Sequence, residues 1–181
     1  MDVSIQERKF SFVSEYDISA PDSSYYARKA LFSLTDKLQL KTQAGEIVAR
    51  IRGLISPLHN RHDFFLQDGR VYHFRCQKLW TRVFVCEGDN ETFRLFEHKG
   101  LRYSIFHNDR QIAAFVKNRV VFGSGNQYKI RIDSDADSIV ILCLVLTINS
   151  AEYDDDDSSV TIDFGNVGPE GKKFDESWQP R

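Results

Sequence analysis

Residues 139–148 read IVILCLVLTI, ten positions of which only Thr147 is polar, in a chain of 181 residues. A run like this has to be buried on every side. Crossing a bilayer as a helix takes about 20 apolar residues, so the run is too short for that. Two solutions remain: a strand buried on both faces, or a helix that is apolar all round because something encloses it. The β-branched residues Ile139, Val140, Ile141, Val145 and Ile148 favour a strand, and periodicity alone cannot separate the two. The flanks favour a helix. Ser134, Asp135 and Asp137 are good N-cap residues, and aspartates suit the positive end of a helix dipole. A helix over about residues 136–153 is long enough to thread a small barrel.

The preceding chain can supply the enclosure. From Tyr25 to Ile132, short alternating runs are separated by turns rich in Gly, Asn and Asp, such as Gln43–Glu46, Gln67–Arg70, Glu87–Glu91, Phe106–Arg110 and Gly123–Asn126. These residues tolerate the positive φ of tight hairpins. In Lys37–Lys41 the leucines share one side. Ile47, Ala49 and Ile51 oppose Val48, Arg50 and Arg52, and Tyr72, Phe74 and Cys76 oppose Val71, His73 and Arg75. Period-two alternation gives one buried and one wet face. The signals amount to about nine to eleven strands, spaced as in a barrel or sandwich. Residues 1–24 read as a lead-in, because Pro21-Asp22-Ser23-Ser24 breaks the pattern. After Asp157 the chain reads as a partly disordered tail, with an edge strand conceivable at Val160–Phe164.

Charge is unevenly placed. Residues 1–132 hold 21 Lys+Arg against 14 Asp+Glu, a net of +7; residues 133–181 hold 3 against 12, a net of −9, giving −2 overall. That total predicts no bulk affinity for nucleic acid or membranes, yet body and tail are electrically opposite. The three cysteines, Cys76, Cys86 and Cys143, show no CxxC spacing and read as reduced thiols of a cytoplasmic protein. A bridge between Cys76 and Cys86 across adjacent strands stays open. MDVSIQERKF lacks the apolar core of a secretory signal, and Asp2 stands where myristoylation needs Gly.

Three stretches carry the order and spacing of a known family: residues 28–40 (RKALFSLTDKLQL) with the turn and strand GEIVARIRG at 45–53, residues 63–74 (DFFLQDGRVYHF), and residues 136–149 (ADSIVILCLVLTIN). On these the chain resembles the LURP-one-related proteins of the tubby C-terminal-like superfamily, from Tyr25 to about Tyr153. The resemblance implies a closed antiparallel barrel of about twelve strands around one central hydrophobic helix, which settles the open choice at 139–148. It also implies a non-enzymatic protein. Tubby-type domains bind phosphoinositides through basic barrel residues, and phospholipid scramblases share the fold. The family's chains tend to end soon after the helix, so the acidic residues 154–181 depart from its pattern.

The organisation expected is therefore a lead-in at 1–24, a barrel domain at 25–153, and a flexible acidic tail at 154–181. Catalysis is not expected: there is no Gly-x-Ser-x-Gly elbow, and the glycine-rich 123–126 lacks a phosphate-binding lysine. The sequence His59-Asn60-Arg61-His62-Asp63 offers metal-ligand types, but it follows Pro57 and Arg61 adds a repelling charge, so loop histidines in solvent are the better reading. No cofactor or metal is expected. The candidate site is the wet phase of the strands: Lys37, Lys41, Arg50, Arg52, Arg75, Lys129 and Arg131, for an anionic phospholipid headgroup. The bland alternative is a solvated barrel exterior. The partner is expected to be anionic phospholipid or a protein, met by a monomer in the cytoplasm or peripherally at a membrane. Nucleic acid is not expected. In the alternative the chain is a scaffold without a lipid role that uses its acidic tail, with Trp178 as one anchor. The tail could also fold back on the basic face and compete with its ligand.

Overall fold

A computed structural model describes residues 1–10, 13–29, 36–54, 61–78, 82–118, 125–156 and 172–181. Its strands run in chain order: β1 (Asp2–Phe10), β2 (Val13–Ala20), β3 (Ser23–Lys29), β4 (Asp36–Thr42), β5 (Ile47–Leu54) and β6 (Arg61–Leu66), then β7 (Val71–Lys78), β8 (Val83–Glu87), β9 (Thr92–His98), β10 (Arg102–His107), β11 (Arg110–Asn118) and β12 (Gln127–Ile132). Each strand pairs antiparallel with its chain neighbours, and β1 pairs with β12, so the sheet closes. One helix, α1 (Ser138–Asp156), follows.

The fold follows from the two patterns in the sequence. Alternation sends Leu40, Ala49, Ile51, Phe64, Tyr72, Phe74, Leu95, Tyr103, Ile105, Phe115 and Ile130 inward, all buried. They share a single core with α1, in which every residue from Val140 to Asn149 is at most 2% exposed. The ten-residue apolar run is therefore the core of the barrel. Asp137 starts the helix: its Oδ1 accepts hydrogen bonds from the backbone N–H of Ile139 (3.0 Å) and Val140 (3.2 Å). Its Oδ2 also accepts one from Arg70 Nη2 at 2.6 Å, tying the helix start to the β6–β7 turn.

Residues 1–24 are not a lead-in. They form β1, β2 and the start of β3, and β1 closes the barrel. Val3, Ile5, Tyr16 and Ile18 point inward, but the charged Glu7 in the same inward phase obscures the alternation. Pro21-Asp22 makes the β2–β3 hairpin rather than ending the sheet. Cys76 and Cys86 are not opposite each other: Cys76 pairs with Phe84 and Cys86 with Phe74, and all three thiols are free. His59, the Val160–Phe164 stretch and most of residues 154–171 lie outside the described residues.

Candidate functional site

Because side chains at i and i+2 project together, β5 sends Arg50 and Arg52 outward side by side, both exposed. Across the ladder, Arg50 faces Gln39 on β4 and Phe65 on β6, while Arg52 faces Asp63. The Arg52 guanidinium lies 4.9 Å from the centre of the Phe65 ring, and Lys41 on β4 lies 6.0 Å from that of Tyr26. Arg50 makes no ion pair among the described residues. On the β6 side the negative charge in register, Asp63, is already hydrogen-bonded to His73 Nδ1 at 2.8 Å. Arg75 belongs to the next strand pair and is held by Glu87 at 3.0 Å, so its charge is compensated. Lys37 lies on β4, but its side chain is outside the described set.

Lys129 and Arg131 stand elsewhere. Going round the barrel from β5, the order is β4, β3, β2, β1 and then β12. These two cations therefore occupy the opposite wall. The seven candidate residues do not form one surface, because the closure of the sheet, absent from any local pattern, decides which strands share a wall.

The second wall carries contacts that strand alternation did not reveal. Segment 172–181 lies against the outer side of β9–β12. Phe174 packs edge-on to His98, with ring centres 5.1 Å apart, and beneath the Arg102 guanidinium at 4.7 Å. Glu176 pairs with Arg102 at 2.8 Å. Trp178 is half-buried under Arg131 at 5.7 Å, and Arg131 donates to Gln179 Oε1 at 3.3 Å. The backbone N–H of Arg181 donates to Asp133 Oδ1 at 2.7 Å, and that of Ser134 to the Arg181 carbonyl at 3.0 Å. Asp175 folds a tight turn within the segment; the Ser177 hydroxyl and N–H donate to its carboxylate and hold it below the usual carboxylate range.

The interior is polar at one end. Asn149, the residue after the apolar run, accepts hydrogen bonds from Lys117 Nζ (3.2 Å) and the Tyr128 hydroxyl, and donates to the Tyr16 hydroxyl at 2.7 Å. Beside it, Glu7 is fully buried and accepts two bonds from Asn126, from the backbone N–H at 3.0 Å and from Nδ2 at 2.6 Å. The signal for this cluster was a charged residue in the inward phase of an alternating strand: Glu7 after Val3 and Ile5, Lys117 after Ala113 and Phe115. His62 is another correction. It sits in β6, buried edge-on against Phe74 with ring centres 6.4 Å apart, rather than in a solvated loop. Among the described residues no three His, Cys, Asp or Glu side chains are grouped to hold a metal ion. The Cys86 and Cys143 thiols are pushed far above their ordinary range by burial and are held neutral. Among the described residues no helix is long and apolar enough to cross a membrane.

A closed twelve-strand barrel filled by one short apolar helix, with that helix following the last strand, is the architecture, and the LURP-one-related family model matches residues 1–149. The chain belongs to the LURP-one-related family. The match begins at residue 1, in agreement with β1 and β2 being barrel strands, and ends at Asn149, at the polar end of the core. No curated protein and no solved structure matches the chain.

Proposed function

We propose that this LURP-one-related domain is a non-catalytic binding module that takes anionic lipid headgroups on the β4–β6 wall. Lys41, Arg50 and Arg52 would be the contacts. The observation that carries the reading is the adjacent, exposed pair Arg50 and Arg52, beside a half-buried Phe65 and with no ion pair at Arg50 among the described residues. Guanidinium groups match phosphate oxygens in a fork geometry, and an aromatic neighbour supplies an apolar edge for the interfacial region. The module reading is also supported by the interior. Side chains of α1 occupy the volume in which a barrel enzyme would hold its substrate.

Each cation near an anionic leaflet contributes about 1 kcal/mol, so three give about 3 kcal/mol, on the order of a hundred-fold in partition. That suits reversible, peripheral contact. The test is co-sedimentation with vesicles of neutral lipid against vesicles containing phosphoinositide, at low and high salt. Binding to the anionic vesicles should fall at least ten-fold in Arg50→Ala/Arg52→Ala and fade with salt. Equal sedimentation of variant and unaltered chain at low salt would discard the site. Absence of any lipid binding would leave a protein-interaction module, the reading that the seated segment 172–181 favours.

A further inference from the structure

The wall formed by β9–β12 differs from an ordinary barrel exterior. Its outward side chains include Phe96, Phe106, Ala114 and Val116, along with His98 and Ser104, which are 0% and 1% exposed. Phe96 and Phe106 meet edge to face at 5.5 Å, and Lys172 lies 3.9 Å from the centre of the Phe106 ring. Every strand here is paired on both sides, so the wall offers no edge for an added strand. Whatever seats on it must be held by side chains. Segment 172–181 is held in this way, with Phe174 and Trp178 under two guanidiniums and Glu176 against Arg102. Its backbone joins the barrel through Asp133 and Ser134.

We infer that this wall is a peptide-docking surface that reads aromatic-x-acidic-x-aromatic, and that residues 174–178 occupy it in cis as a built-in competitor. The partner class is a peptide segment with two aromatic side chains four positions apart and a carboxylate midway between them; the seated residues 172–181 carry three Lys+Arg against two Asp+Glu, so the placed carboxylate and not bulk acidity is what the wall reads. Each element of the pattern has its own receptor. One aromatic goes between His98 and Arg102, the carboxylate to Arg102, and the second aromatic under Arg131. Beside Phe174 a groove of about 540 Å³ continues the wall past the second cation, its outward side chains being Ala114, Val116, Lys129 and Arg131 with the polar Ser4 and Ser19. The inference does not rest on the lipid reading, which uses the opposite wall.

A tethered segment acts at an effective concentration on the order of 1 mM. If the free segment binds with a Kd of about 0.1 mM, the wall is closed about ten to one, and a trans peptide sees about ten-fold weaker affinity. The probe is a fluorescein-labelled peptide, KKFDESWQPR, followed by anisotropy against full-length chains. It should bind Phe174→Ala/Trp178→Ala at least ten-fold more tightly than the unaltered chain. Glu176→Lys, which puts a cation against Arg102 without removing an apolar contact, should also open the wall. Adding Arg131→Ala to either variant should cost about ten-fold, and a peptide with both aromatics replaced by alanine should not bind. The inference is overturned if neither opened variant, each with a cooperative melt, binds the peptide saturably. It is also overturned if binding ignores the aromatics, or if the opened variants gain affinity for anionic vesicles but not for the peptide.

Discussion

Replacing Asn149 by leucine tests how the central helix is held at its depth in the barrel. The side chain is 1% exposed and receives Lys117 Nζ and the Tyr128 hydroxyl while donating to Tyr16, strands β11, β12 and β2 in turn. Leucine has nearly the same volume, so packing is conserved and the loss is polar. A neutral hydrogen bond contributes about 1 kcal/mol net, and one from a charged donor about 1.5–3. Two of the former and one of the latter give about 3.5–5 kcal/mol, the range found when one partner of a buried polar or ionic pair is removed. For a chain of this size each kcal/mol lowers Tm by about 2–4 °C, so Tm should fall by roughly 7–20 °C. Urea denaturation followed by circular dichroism gives the free energy directly. Asn149→Asp, which keeps an acceptor for Lys117 and Tyr128 but loses the donor to Tyr16, should fall between the unaltered chain and the leucine variant. A leucine variant within 1 kcal/mol of the unaltered chain would refute the claim that this hub fixes the helix.

Two glycines in the left-handed region should behave differently when replaced by alanine. At Gly125 (φ +74°) a Cβ would stand 2.3 Å from the Glu7 carbonyl oxygen, a backbone atom that cannot move aside, whereas at Gly69 (φ +93°) nothing lies within 4 Å. Gly69→Ala should cost only the conformational penalty of about 1–2 kcal/mol, and Gly125→Ala clearly more, read by the same denaturation. Among the thiols, only Cys76 is partly exposed, so native protein at neutral pH should react with a thiol reagent at one site and denatured protein at three. Two or more fast-reacting thiols would contradict the burial of Cys86 and Cys143.

Local pattern carried most of the architecture. The run 139–148 demanded burial on all sides, and alternation between glycine- and aspartate-bearing turns named the inward face of most strands, from Leu38 to Ile132. It could do this because side-chain period and turn chemistry are properties of a few consecutive residues. Where it failed, Pro21-Asp22-Ser23-Ser24 reads locally as a break although it is the β2–β3 hairpin, so the first two strands read as a lead-in, and the charged Glu7 in the inward phase of β1 hides the alternation that would have shown otherwise. Once the barrel is closed, the same charge is explained by Asn126, a partner 119 residues away.

The candidate site divides in the same way. Exposure of Arg50 and Arg52 and their common direction follow from their spacing of two along β5, and both were legible in the sequence. Which other cations stand with them was not. Strand order around the barrel joins Lys41 to that pair and carries Lys129 and Arg131 to the far wall. The role of Phe174, Glu176 and Trp178 was equally hidden, since each meets its partner, Arg102 or Arg131, across more than forty residues of chain. Sequence by itself determined which side of each strand is wet and that one segment must be enclosed, because those depend on neighbours in the chain. Only the tertiary structure decided which wet sides face together, which buried charges are matched and which wall segment 172–181 covers. Those are contacts between distant residues, and no local period encodes them.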